Sequence, residues 1–167
     1  MRRGSVGAAL LVVLALVARP ASPSPQGRHG GSPPPSERLA ALEQQTQVTV
    51  NDYRASRGLA KLAWSDVIAE QARQHSRRMA DGITAFGHDG FKNRTADIDR
   101  KIHWIGVAEN VYMMSDQQAP ARAAVSGWID SPGHRKNIEG DFNMTGIGIA
   151  RARNGSLYFT QIFVKSN

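Results

Sequence analysis

Imidazole and carboxylate groups hold most of the chemistry available to this sequence, because its 167 residues include five histidines and no cysteine. Lack of thiols excludes disulfides, thiolate metal sites, a cysteine nucleophile and a lipidated N-terminal cysteine. His88, Glu109 and His134 are groups that Zn²⁺ accepts, and three such ligands leave a fourth position for water. In the hydrolytic version His88 and His134 would hold the Zn²⁺ and Glu109 would act as general base on bound water. The separations of 21 and 25 residues along the chain are not a local ligand motif, so folding would have to assemble the site. The competing reading has the two histidines hydrogen-bonding to Glu109 and to backbone groups without any metal.

The other candidates are weaker. His75 falls at helical spacing with Ala72 and Met79, which suits a core or wall position better than a catalyst. His103 precedes Trp104 and reads as a packing residue, and His29 sits in a proline-rich tether. Ser131, three residues before His134, suggests a nucleophile and base. Its Asp-Ser-Pro-Gly context reads instead as a turn in which the serine caps backbone amides. No Gly-x-Ser-x-Gly elbow, phosphate loop or dinucleotide fingerprint occurs.

The elements that must position these residues are legible in outline. Ser36 and Glu37 mark a helix start, and Leu39, Leu42, Thr46, Val50 and Tyr53 recur at helical spacing until Gly58. A second helix begins at Trp64, Ser65 and Asp66, shows Ile68, Ala72, His75 and Met79 on one face, and ends at Gly82. A third is predicted from Ala119 to Ile129, stopped by Ser131 and Pro132. Residues 146–150 and 157–164 then alternate as two strands joined at Asn154 and Gly155, a hairpin signal. Ile105 to Val111 adds another strand. Helices followed by strand, helix and hairpin predict an α+β domain with helices packed on an antiparallel sheet.

Arg2 and Arg3 followed by an apolar run from Val6 to Val17 predict a secretory signal over residues 1–25. That run is shorter than the roughly 20 residues of a bilayer span, so no stable membrane span is expected. Residues 26–35 read as a Pro/Gly/Ser-rich linker and 36–167 as the folded domain. The formal charge is +7, but Arg2, Arg3, Arg19 and Arg28 precede Ser36 and leave 17 basic against 14 acidic residues in the domain. Its basic pairs, such as Arg77 with Arg78 and Arg135 with Lys136, lack aromatic interleaving, so no nucleic-acid partner is expected.

Several segments together resemble one family. They are Leu59 to Ser65, Ala72 to Met79, Phe86 to Gly90 with His88, Ala108 to Val111 with a Glu-Asn pair, Gly127 to Ile138 with an SPGHR run after Trp128, and Tyr158 to Phe163. In this order they resemble the CAP superfamily of cysteine-rich secretory, antigen 5 and pathogenesis-related 1 proteins, in its short cysteine-free bacterial form. The resemblance implies a three-layer α-β-α sandwich with a central antiparallel sheet and a cleft gathering histidines and acidic residues. By motif, His88 matches the first cleft histidine and Glu109 the acid of the Glu-Asn pair, while His134 lies in the SPGHR run. The family's second glutamate and later histidine have no counterpart here, and Asp130, two residues after Trp128, is a candidate substitute for that glutamate. The resemblance further implies a secreted, extracellular, non-enzymatic module for a lipid-like, sterol-like or cell-surface protein ligand, and the chain is expected to be a monomer. Phe86, Phe91, Trp104 and Met113 are candidates to line an apolar site. The alternative is a Zn²⁺-dependent hydrolase or peptidase using His88, Glu109 and His134; no other cofactor is implied.

Overall fold

The computed structural model describes residues 33–115 and 118–167, so the expected signal segment, most of the linker and His29 lie outside the described residues. Helix α1 runs Pro35–Ser56, β1 Ala63–Trp64, α2 Asp66–Ala80, α3 Phe91–Asp99 and β2 Trp104–Met114. The chain continues through α4 Pro120–Asp130, α5 Pro132–Glu139, β3 Met144–Arg151 and β4 Leu157–Ser166. The sheet order is β1-β3-β4-β2. The long strands pair antiparallel as expected, and two-residue β1 adds in parallel beside β3. Helices α1, α4 and α5 cover one face and α2 with α3 the other, which makes the three-layer α-β-α sandwich.

Local chemistry explains most boundaries. The Ser65 hydroxyl accepts from the Ile68 amide at the start of α2, and Gly82 follows the end of that helix at φ +70°. α1 does not start on a serine cap. Pro34 occupies the cap position and the fixed φ of Pro35 suits the first helical turn, so Ser36 already lies inside. The hairpin forms with only Gly155 at positive φ, +88°, while Asn154 Oδ1 accepts from the Ser156 amide at 3.0 Å. Helices α3 and α5 were not foreseen, because one is largely polar and the other opens with Pro-Gly, which reads as a turn. Ser131 makes no capping bond to α5; the proline behind it supplies the start.

The apolar core divides by face. Trp128, Phe159, Phe163, Ile147, Ile138 and Val50 pack beneath α1, α4 and α5, and Ile68, Ala72, Ile98, Ile162 and Val164 pack beneath α2 and α3. α1 also buries polar residues absent from the apolar pattern. Glu43 accepts from the Ile149 amide at 3.1 Å and pairs with Arg73 at 2.7 Å. Arg54 donates to the carbonyls of Ala60, Ile138 and Gly140. These buried groups are satisfied by backbone they lock in place.

α2 lies unusually close to β3. A Cβ added at Gly148 would overlap the Arg73 amide nitrogen and the Ala72 carbonyl carbon, and one at Gly146 would meet the Ala69 backbone. Gly148→Ala is therefore expected to destabilise the fold by roughly 1–3 kcal/mol or more. Gly133→Ala, in α5 with nothing within 4 Å, is expected to stabilise it by up to about 1 kcal/mol. Urea denaturation of the two variants beside wild type checks both signs.

Candidate functional site

The site is built on edge strand β2 and on the period of two that sends its neighbours to opposite faces. Glu109 points to the α3 side and Asn110 to the α5 side. The Glu109 side chain is 2% exposed and both its oxygens are engaged. Arg94 of α3 donates from Nε to Oε2 at 2.5 Å and from Nη2 to Oε1 at 2.6 Å. His88 Nδ1 lies 2.9 Å from Oε1, and because a carboxylate only accepts, that nitrogen carries the proton in this bond. The His88 ring is half exposed, and its Nε2 has no hydrogen bond among the described residues.

The loop that carries His88 is fastened from below. Arg94 donates to the carbonyls of Asp89 at 2.7 Å and His88 at 3.3 Å. His75, buried on α2, lies 2.8 Å from the Gly87 carbonyl through Nε2, which must be the donor. Gly90 enters α3 at φ +77°, a conformation that glycine adopts without a Cβ penalty. Burial holds the His75 pKa below its ordinary value, opposed by the Gly87 bond, with Arg94 and His88 lowering and Glu109 raising it.

On the other face Asn110 donates to the His134 carbonyl at 3.0 Å. Asn137 donates to Asn110 Oδ1 at 2.9 Å and to the Glu109 carbonyl at 3.2 Å. The Glu-Asn pair thus ties both helical layers to one strand. His134 is partly buried on α5, and its pKa is lowered first by burial and then by the charge of His88.

The residues singled out from the sequence meet different fates. His88 and Glu109 are in contact, His134 stands near them, and His75 supports the loop from beneath. Asp130 is exposed at the end of α4 and bonds to none of them. His103, expected to pack, has a side chain 93% exposed and lies 3.5 Å from Asp99. Arg94 was missed, although it lies six residues after His88 in the same segment, because nothing local shows that its guanidinium turns inward.

The residues do not fit the three-ligand Zn²⁺ centre. Both Glu109 oxygens are held by donors, and the Arg94 guanidinium at 2.5 Å brings a fixed positive charge to the position a divalent ion would need. Among the described residues no group of three or more His, Cys, Asp or Glu could hold a metal ion. The same commitment uses three of the acceptor positions of Glu109, two on Oε1 and one on Oε2.

Beside His88 the sheet presents an apolar shelf. Val111 and Met113 follow Glu109 on the same face, and Tyr158 is the register partner of Met113. The Phe86 ring lies 6.4 Å from that of Tyr158. Phe86 is 50% and Met113 45% exposed. Phe91 and Trp104 do not join the shelf. The first lies under the Arg94 guanidinium at 5.6 Å, and the second packs against the α2–α3 core with its indole N–H on the Thr95 carbonyl at 3.1 Å.

Two outcomes follow. Arg94→Ala leaves a buried, uncompensated carboxylate and is expected to cost about 3–5 kcal/mol in urea denaturation. His75 and His134 both resist protonation in the folded state, so below the ordinary histidine pKa of 6.5 the unfolded chain takes up protons that the folded one does not. Stability is complete above that pH and falls as pH drops through it, by at most about 1.4 kcal/mol per pH unit for each proton. Thermal melts from pH 7.5 to 5.5 are expected to show this slope, and His75→Gln to reduce it.

Comparison with known proteins agrees with this architecture. The family model for CAP, the cysteine-rich secretory protein family, matches residues 48–163. The uncharacterised membrane protein YlbC of Bacillus subtilis is 32% identical over 129 residues, which are 74% of this chain and 34% of that protein. This chain therefore spans about a third of that relative. A solved extracellular protein with an SCP domain from Bacillus anthracis aligns with a TM-score of 0.65 and 28% identity over 82% of this chain and 45% of its own. A cysteine-rich secretory protein from Staphylococcus aureus aligns with a TM-score of 0.63 and 18% identity over 79% of this chain and 41% of its own. With the family model covering more than half of its length, the chain belongs to the CAP, or cysteine-rich secretory protein, family.

Proposed function

We propose that this chain is an extracellular, non-enzymatic CAP-domain module that binds a lipid-like or sterol-like amphipathic ligand. Its apolar part would lie on the shelf of Phe86, Met113 and Tyr158, and its polar group would meet the exposed edge of the His88 imidazole. The observation that carries this reading is the exposed apolar surface beside an imidazole whose carboxylate partner is already committed to Arg94. Exposed apolar residues gathered beside polar groups mark binding surfaces. An imidazole held by a buried carboxylate offers a rigid polar contact on which such a ligand can be oriented.

Support for an extracellular setting comes from the charged and apolar start of the sequence and from the extracellular SCP-domain protein to which the domain is similar. Among the described residues no helix is long and apolar enough to cross a membrane. The acid that a hydrolytic reading would use to activate water accepts three N–H bonds, two from Arg94 and one from His88, which favours the binding reading.

Titration with a fluorescent sterol and a fluorescent long-chain fatty acid tests the reading. Saturable uptake of at least one is expected, weakened about tenfold or more by Phe86→Ala or Met113→Ala, a loss on the order of 1.4 kcal/mol of apolar contact. Val48→Ala, which alters a valine 58% exposed on α1, is expected to bind as wild type does. Absence of uptake, or equal uptake by all variants, would overturn the lipid reading of the shelf.

A further inference from the structure

A second groove, distinct from the shelf, runs between α2 and α3 on the outer side of Arg94. It has a volume of about 520 Å³, within the ordinary range of ligand sites, and every residue lining it except Gly90 carries a polar or charged side chain. Thr84 Oγ1, on its lining, is buried with no hydrogen-bond partner among the described residues. His75 also lines the groove: its Nε2–H is spent on the Gly87 carbonyl, so Nδ1 is left as an acceptor. Buried polar groups are nearly always satisfied, so the unpartnered Thr84 hydroxyl on this polar lining points to a hydrogen-bonding occupant.

The lining indicates the chemistry of that occupant. Gln71 and Asn93 offer carboxamides with both donors and acceptors, and Gln74, whose amide nitrogen is on Glu70 at 3.1 Å, keeps its carbonyl oxygen. Charge is balanced. Arg94 is paired with Glu109 and Asp97 with Arg100 at 2.8 Å, leaving Arg78 and Asp89, one of each sign. A lipid chain would strand these amides without partners, and an anion would face Asp89, Asp97 and the imidazole lone pair. Hydroxyl groups, which donate and accept at once, satisfy an acceptor-only nitrogen, an unpartnered hydroxyl and carboxamides together. We propose that the α2–α3 groove is a binding site for a neutral, hydroxyl-rich saccharide, recognised through Thr84, His75, Gln71 and Asn93. The site goes beyond the lipid reading and does not depend on it.

The test is an amide chemical-shift titration of the ¹⁵N-labelled full chain with chitotriose, a neutral trisaccharide, run beside glycylglycine and inorganic phosphate. Saturable shifts at Gln71, Gln74, Thr84 and Asn93 are expected with chitotriose alone. Thr84→Val removes a hydroxyl that has no partner among the described residues, so its melting temperature should match or exceed wild type while saccharide affinity falls about tenfold. Phe86→Ala should leave the saccharide response intact, which separates failure here from failure of the lipid site. The proposal is overturned if chitotriose gives no saturable shifts, if the dipeptide or phosphate binds in its place, or if Thr84→Val binds the trisaccharide as wild type does.

Discussion

The Arg94–Glu109 pair is the contact on which the site's geometry depends. Burying two charges costs several kcal/mol each, and the cost is offset only when the geometry is close and the remaining valences are filled. Both conditions hold here. The guanidinium meets the carboxylate through two bonds of 2.5 and 2.6 Å, and its other donors reach the carbonyls of His88 and Asp89. One ion pair therefore joins α3, the His88 loop and the edge strand.

That commitment also decides what the site does not do. A glutamate beside a histidine in a cleft invites a hydrolytic reading, but both oxygens of Glu109 already accept from donors, three bonds in all. What remains outward is a half-exposed imidazole next to Phe86, Met113 and Tyr158, a combination suited to recognition. Asn110 completes the arrangement from the opposite face by holding the His134 carbonyl, so two consecutive residues of β2 anchor two helical layers.

The sandwich beneath the site is held by close approach and by buried polar anchors as much as by apolar packing. Gly146 and Gly148 let the α2 backbone settle onto β3, which brings His75 and Ser76 down against the sheet layer. His75 can then reach the Gly87 carbonyl. On the far side Glu43, Gln47 and Arg54 of α1 fill backbone valences in β3 and in the loops after α1 and α5. An apolar periodicity cannot reveal such residues, because their contribution comes from partners distant along the chain.

Local pattern was enough for α1, α2, α4, the β3–β4 hairpin and the class of fold, because caps, glycine stops and hydrophobic periods of 3.6 and 2 act within a few residues. The motifs around His88, Glu109 and the SPGHR run were likewise legible, and with them the family. Helices α3 and α5 were not, since a polar segment and a Pro-Gly start become helical only when tertiary contacts stabilise them. The fate of the candidate ligands was also a tertiary matter: whether Glu109 stays free depends on which way Arg94 turns, and Asp130 and His103 face solvent for reasons of layer geometry. The chain alone determined which chemical groups are present and in what elements; only the packing of α3 against β2 decided which of their valences remain open, because an ion pair depends on distance in space and not on separation in sequence.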